Sequence, residues 1–172
     1  MCFSATSSFV AAAVTGAIGI GCLMNAPTAR HRPLAAMPLL FAAQQAAEGV
    51  LWLTLPSAPN AALATPLTLL FLLYAKVFWP IYTPLSILLI EPDARRRTIM
   101  LGLLAVGVIV GLILLADILS TGHEAAILGG HIVYGARDAY PASLVAAYLV
   151  ATCLTPLSSS HAMVAAQPPS SS

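Results

Sequence analysis

Apolar and polar positions alternate along this chain in long blocks. Five apolar runs cover about Ser8–Met24, Leu34–Leu55, Ala62–Ile90, Thr98–Leu119 and Ala139–Leu157. Crossing a hydrocarbon layer takes roughly 20 apolar residues in a helix, with about 17 as the lower limit. The pattern therefore predicts an all-α, polytopic transmembrane helix bundle of about five spans. Asn25-Ala26-Pro27 and Arg30-His31-Arg32-Pro33 make the first break, and Pro56-Ser57-Ala58-Pro59-Asn60 makes a tight uncharged turn. Glu91-Pro92-Asp93-Ala94-Arg95-Arg96-Arg97 ends the third run, and a connector from Ser120 to Asp138 comes after the fourth.

Prolines and glycines refine this outline. Pro38 and Pro66 fall near the starts of their runs, where a missing N–H does little harm. Pro80 and Pro84 lie in the second half of the third run, and predict a kink or local break near Trp79-Pro80. Gly16, Gly19 and Gly21 allow close helix approach in the first run. Ala125 to Val133 in the connector is too short to span and reads as a short interfacial or re-entrant helix. Residues 1–157 form a single transmembrane domain by this outline. The Ser/Pro/Ala-rich stretch 158–172 is expected to be a disordered cytoplasmic tail.

The second run carries the most informative chemistry. Gln44, Gln45 and Glu48 sit inside it, and residues four apart on a helix share a face, so Gln44, Glu48 and Trp52 line up. A carboxylate at the centre of a bilayer costs about 2.5 kcal/mol or more, so Glu48 must face protein or water. Lys76, the single lysine, lies within the antiparallel third run, roughly 8 Å deeper by helical rise, and is a candidate partner for Glu48. Gln44, Gln45, Glu48 and Lys76 thus form a candidate buried polar cluster, either a structural anchor or a protonatable, ligand-binding site.

Charge adds a direction. Only 8% of residues are charged, far below the roughly one quarter typical of soluble domains, and the formal net charge is +1. Nothing here suits nucleic acid, and the expected partners are the lipid bilayer, other membrane subunits or a second copy of the chain. Arg30, Arg32, Arg95, Arg96 and Arg97 fall on one side of the predicted spans and Arg137 on the other. The positive-inside rule puts the arginine-rich side in the cytoplasm of a cell whose inner membrane holds the protein. That leaves the N-terminus outside and the C-terminus inside. Arg95 to Arg97 double as a contact for anionic lipid.

This orientation gathers Cys2, His123, Glu124 and His131 at the outer face, with Asp117 at the end of its span and Glu48 about 10 Å below the surface. Thiolate, imidazole and carboxylate together suit zinc or copper, so these four residues are a candidate metal site. The eight-residue separation of His123 and His131 matches no established ligand spacing. The three cysteines, Cys2, Cys22 and Cys153, show no zinc-type pairing, and Ser158-Ser159-Ser160-His161 makes no catalytic triad from sequence neighbours.

Two segments carry a family resemblance. The opening Met1-Cys2-Phe3-Ser4-Ala5-Thr6, with Ser8-Phe9, resembles the start of an uncharacterised bacterial family of integral membrane proteins. Pro38-Leu39-Leu40-Phe41, Gln44-Gln45, Glu48-Gly49 and Trp52 match the same family. Weaker agreement covers Phe78-Trp79-Pro80 with Pro84, Glu91-Pro92, His131-Ile132 with Tyr134, and Thr155-Pro156-Leu157 with Ser159-Ser160. The resemblance implies no established activity. It implies about seven spans, which makes this chain look shortened at its C-terminus, and it carries over Cys2, Ser4, Gln44, Gln45, Glu48, Trp52, His131 and Tyr134 as candidates. The expected function is that of a structural or accessory membrane subunit. A metal-dependent enzyme or metal-handling protein and a small transporter are the alternatives.

Overall fold

The computed structural model describes residues 4–56, 61–121, 124–135 and 140–160. They form an all-α body of five helical rods with one small β-hairpin. α1 spans Ala5–Met24, and its first turn is capped by Ser4, whose Oγ accepts the Ser7 N–H at 3.2 Å. The second rod begins with short turns at Ala29–His31 and Arg32–Ala35 and continues as α2, Met37–Thr54. The third comprises α3, Ala61–Leu72, and α4, Trp79–Leu88, joined by a π-helical turn over Leu73–Phe78. α5, Ala94–Ser120, is the fourth, with Asp93 capping the Arg96 N–H at 2.8 Å. The fifth comprises α6, Ala142–Leu149, a second π turn over Val150–Leu154, and α7, Thr155–Ser158. Four rods are long and apolar enough to cross a membrane, and the fifth is a shorter apolar helix.

The rods run up and down in sequence order, as their contacts show. Phe9 meets Gly49, Gly16 meets Ala42 and Gly19 meets Leu39, so α1 and α2 are antiparallel. Gly107 faces Pro80 and Gly111 faces Val77 and Ile81, so α5 runs against the third rod. A β-carbon on Gly19 would stand 2.5 Å from the Leu39 nitrogen, which brings the α1 and α2 backbones into direct contact. α2 is packed on most sides and buries Gln44, Gln45, Glu48 and Leu51. Arg30, Arg32, Arg95, Arg96 and Arg97 all fall at one end of this bundle, the arginine end. The hairpin occupies the other.

The prolines of the third rod do not break it. The strain is taken up one turn earlier, where the Trp79 N–H bonds to the Tyr74 carbonyl, five residues back. In that wide register the Ala75 carbonyl would look to residue 80, which is proline and has no N–H. Its partner is instead the Tyr148 hydroxyl, which donates to Ala75 O at 2.7 Å from the fifth rod. The same device recurs at the second π turn. Pro156 cannot serve the Ala151 carbonyl, and the Thr155 hydroxyl donates to it at 2.7 Å. Pro84 likewise leaves the Pro80 carbonyl without its helical donor, and that oxygen lies against Gly107.

Two expectations need correction. The segment Ala125 to Val133 is not a helix. Ala125–Leu128 (β1) and His131–Tyr134 (β2) pair antiparallel, with Ala125 opposite Tyr134 and Leu128 opposite His131. Gly129 and Gly130, at φ of 57° and 79°, supply the two left-handed positions of a type I′ turn, which only glycine fills without strain. The expected tail also begins too early. Ser158, Ser159 and Ser160 are held by the body through Arg96 and Glu91, while residues 161–172 lie outside the described part.

Gly107→Ala places a methyl group against the Pro80 carbonyl and is expected to destabilise by about 1–3 kcal/mol. Gly102→Ala, at a position with nothing within 4 Å, is the control and is expected to be neutral or slightly stabilising. Thermal unfolding of both variants in mild detergent checks the pair.

Candidate functional site

The polar groups of the bundle fall into three sets, two toward the hairpin end and one at the arginine end. At the hairpin end, α2 turns Glu48 fully inward, at 1% exposure. One turn below it, Gln44 is fixed by Trp79, whose indole N–H donates to Oε1 at 2.7 Å. Gln45 is buried beside them. One turn above Glu48, the Trp52 indole nitrogen is buried with no hydrogen-bond partner. The hairpin supplies the roof: Ile132 is buried, and the Tyr134 ring stacks on Phe71 of α3, 4.6 Å between centroids and 7° from parallel. Burial pushes the Tyr134 hydroxyl well above its usual pKa, and the nearby Glu48 carboxylate adds to the shift. The Tyr134, Thr68 and Ser8 hydroxyl oxygens are also buried without a hydrogen-bond partner. Buried polar atoms are almost always satisfied, so these unmet groups, two of which (Trp52 and Tyr134) lie beside Glu48, are the least ordinary feature of the structure.

A second set, which includes Lys76, lies toward the same end, nearly level with Glu48. Gln44 meets Trp79, so one turn along the antiparallel helices Glu48 is level with Ala75 and its neighbour. Lys76 turns to the fifth rod. Its ammonium donates to the Tyr140 hydroxyl at 2.6 Å, and that hydroxyl donates to Asp117 Oδ2 at 2.6 Å. The phenol thus couples the lysine to a carboxylate from α5, and three rods are joined by one chain of hydrogen bonds. Lys76 pairs with Tyr140 and Asp117 because its long stem reaches outward along the rod to the start of the fifth. Asp117 within an apolar run signalled a need for a cation. Nothing local marked Tyr140 as the bridge.

The arginine end is saturated. Glu91, at 1% exposure, accepts from the Ser159 hydroxyl at 3.1 Å, the Ser160 N–H at 3.0 Å, the Ser160 hydroxyl at 2.6 Å and the Asp93 N–H at 3.3 Å. Burial alone would raise its pKa. The hydrogen bonds from Ser160, Asp93 and Ser159 outweigh that and hold it below the usual carboxylate value. Arg97 Nη1 caps the Leu88 and Glu91 carbonyls, each at 3.3 Å.

The candidate metal set does not assemble within the described part. Glu124 and His131 are both exposed on the hairpin, and His131 Nδ1 lies 3.1 Å from the Gly129 carbonyl. Cys2 and His123 lie outside the described residues. Among the described residues no group of three His, Cys, Asp or Glu side chains is placed to hold a metal ion.

The fold and these three sets define a helical protein built for an apolar environment, with buried carboxylates in its interior. The chain belongs to a family of unknown function (DUF6629), whose model matches residues 1–166. No curated protein and no solved structure matches it.

The Glu91 knot carries a pH dependence. Its folded pKa is depressed, so its contribution to stability is present above the unfolded value near 4.5 and is lost as pH falls through the folded value. Ser160→Ala is expected to remove part of the depression and shift the acid unfolding midpoint upward. Circular dichroism between pH 7 and about 3 tracks it, and an unshifted midpoint would contradict the assignment.

Proposed function

We propose that this is a multi-pass membrane protein that binds a small polar solute at the hairpin end, with Glu48 as the principal contact. The observation that carries the reading is the pair of buried, unmet donors there: the Trp52 indole N–H and the Tyr134 hydroxyl. An indole nitrogen can only donate, so its partner must be an acceptor. A carboxylate, when ionised, can only accept. The complementary solute therefore offers an acceptor to Trp52 and a cationic or donor group to Glu48, as a small zwitterion or a hydroxylated amine does. Intramembrane carboxylates are functional candidates by default, which supports the same choice. The arginine end is assigned to the cytoplasm by the positive-inside rule, and the site then opens toward the outside.

Trp52 and Trp79 are the two tryptophans of the chain, and Trp79 bonds to Gln44 deeper in the bundle. In a Trp79→Phe background, Trp52 fluorescence is expected to respond to titration with glycine or ethanolamine. Glu48→Gln is expected to weaken that response roughly tenfold to a hundredfold, the loss of one charged hydrogen bond. Zinc and copper titrations run in parallel address a metal ligand at the same place. A folded protein whose Trp52 emission ignores every one of these solutes overturns the reading.

A second reading, an accessory subunit, rests on a different feature. A groove of about 540 Å³ runs along the third rod, lined by Leu70, Tyr74, Phe78, Tyr82 and their neighbours. Its apolar lining suits the helix of another membrane subunit. Co-purification of a second chain in mild detergent, lost on Phe78→Ser, is expected under this reading; a monomer alone counts against it.

A further inference from the structure

We propose that the arginine end holds a specific site for the headgroup of an anionic phospholipid, formed by Arg95, Arg96 and the Ser158 segment. A pocket of about 370 Å³ is lined by Asp93, Arg95, Arg96, Ile99 and Ser158. The three consecutive arginines do different work. Arg97 is spent on the carbonyls of Leu88 and Glu91. Arg96 is anchored by one nitrogen to the Ser158 carbonyl at 2.9 Å and keeps its other donors. Arg95 is exposed and takes no hydrogen bond or ion pair among the described residues.

Two carboxylates lie nearby, but only Asp93 lines the pocket, so the two guanidinium groups leave it net positive. Glu91 is buried and turned to Ser159 and Ser160. Asp93 lies at the pocket edge, with its Oδ1 engaged by the Arg96 N–H at 2.8 Å. A guanidinium fork suits a phosphate, which it can grip with two parallel donors.

The occupant is a lipid rather than a free anion because of the apolar surface beside the cations. Ile99 is one turn along the same face from Arg95, lines the pocket and is 52% exposed. The 27 residues of α5 span about 40 Å, longer than a hydrocarbon layer of roughly 30 Å. Its first turn therefore lies at headgroup level, and Ile99 lies where acyl chains begin. A ligand with a phosphate head and an apolar tail matches both parts.

The second wall depends on the Glu91 knot. Ser159 and Ser160 bind Glu91 and so bring the Ser158 carbonyl to Arg96. Ser159 and Ser160 act as positioning residues that touch no lipid. Their removal changes no charge, which separates a built site from general attraction to a basic surface.

The test is native mass spectrometry of the full chain in detergent with phosphatidylglycerol, and with phosphatidylcholine for comparison. Wild type is expected to retain phosphatidylglycerol in preference. Arg95→Gln is expected to weaken retention roughly tenfold, and the Ser159→Ala, Ser160→Ala double variant is expected to weaken it with the rods still folded by circular dichroism. Arg30→Gln removes the same charge from the same end outside the pocket and is expected to retain lipid as wild type does. Equal losses from Arg30→Gln and Arg95→Gln would reduce the effect to bulk electrostatics and overturn the proposal. Displacement of the lipid by inorganic phosphate would overturn it in favour of a free-anion site.

Discussion

Inside an apolar layer each backbone carbonyl must find its donor within the chain, because no water is there to supply one. The third rod shows how far this requirement reaches. Two prolines and one wide turn leave carbonyls at Ala75 and Pro80 without helical donors. The Ala75 oxygen is served by Tyr148, from a helix that arrives more than seventy residues later in the chain. The Pro80 oxygen is met by the bare backbone face at Gly107, a contact that only a residue without a side chain permits. The irregular turn is therefore also the joint that holds the fourth and fifth rods to the third. A regular helix with a saturated backbone would offer those rods only side-chain packing.

That joint positions the charged groups as well. Widening the helix over Leu73–Phe78 rotates α4 relative to α3, and Lys76 lies within the widened turn. Its ammonium goes to Tyr140 and Asp117, while Trp79, one turn on, faces α2 and fixes Gln44. One rod thus serves two polar sets, and Lys76 goes to Tyr140 although Glu48 is nearly level with it. The pairing of these two charges looked natural from depth alone. Depth is legible in a sequence once the spans are counted; the face that a residue presents after a π turn is not.

Much of the architecture was nevertheless legible. The five apolar runs correspond to the five rods, and the face of Gln44, Glu48 and Trp52 is the inward face of α2. The segments that resemble the family turn out to be contact partners. Phe9 of the opening packs on Gly49 of the second motif. Gln44 bonds to Trp79, Tyr134 feels the charge of Glu48, and Glu91 binds Ser159 and Ser160. Each pair joins segments that are distant in sequence, so no local window could show it. The hairpin was missed for another reason. Its glycine pair carried the turn signal, but a nine-residue stretch of mostly apolar residues fits a short helix equally well until its alternation is weighed.

The two ends of the bundle treat the polar groups around their buried carboxylates differently. Around Glu91 the chain spends two serine hydroxyls and two backbone N–H groups on one side chain, and the result is a closed knot. Around Glu48 the Tyr134 hydroxyl and the Trp52 indole are buried yet take no hydrogen bond. A fold able to assemble four donors on one carboxylate had the means to satisfy donors beside another. Leaving them unmet costs on the order of 1–3 kcal/mol for each group, and a ligand or ordered water that occupies the site would recover it. The asymmetry favours the hairpin end over the closed Glu91 knot as the seat of the proposed polar-solute site.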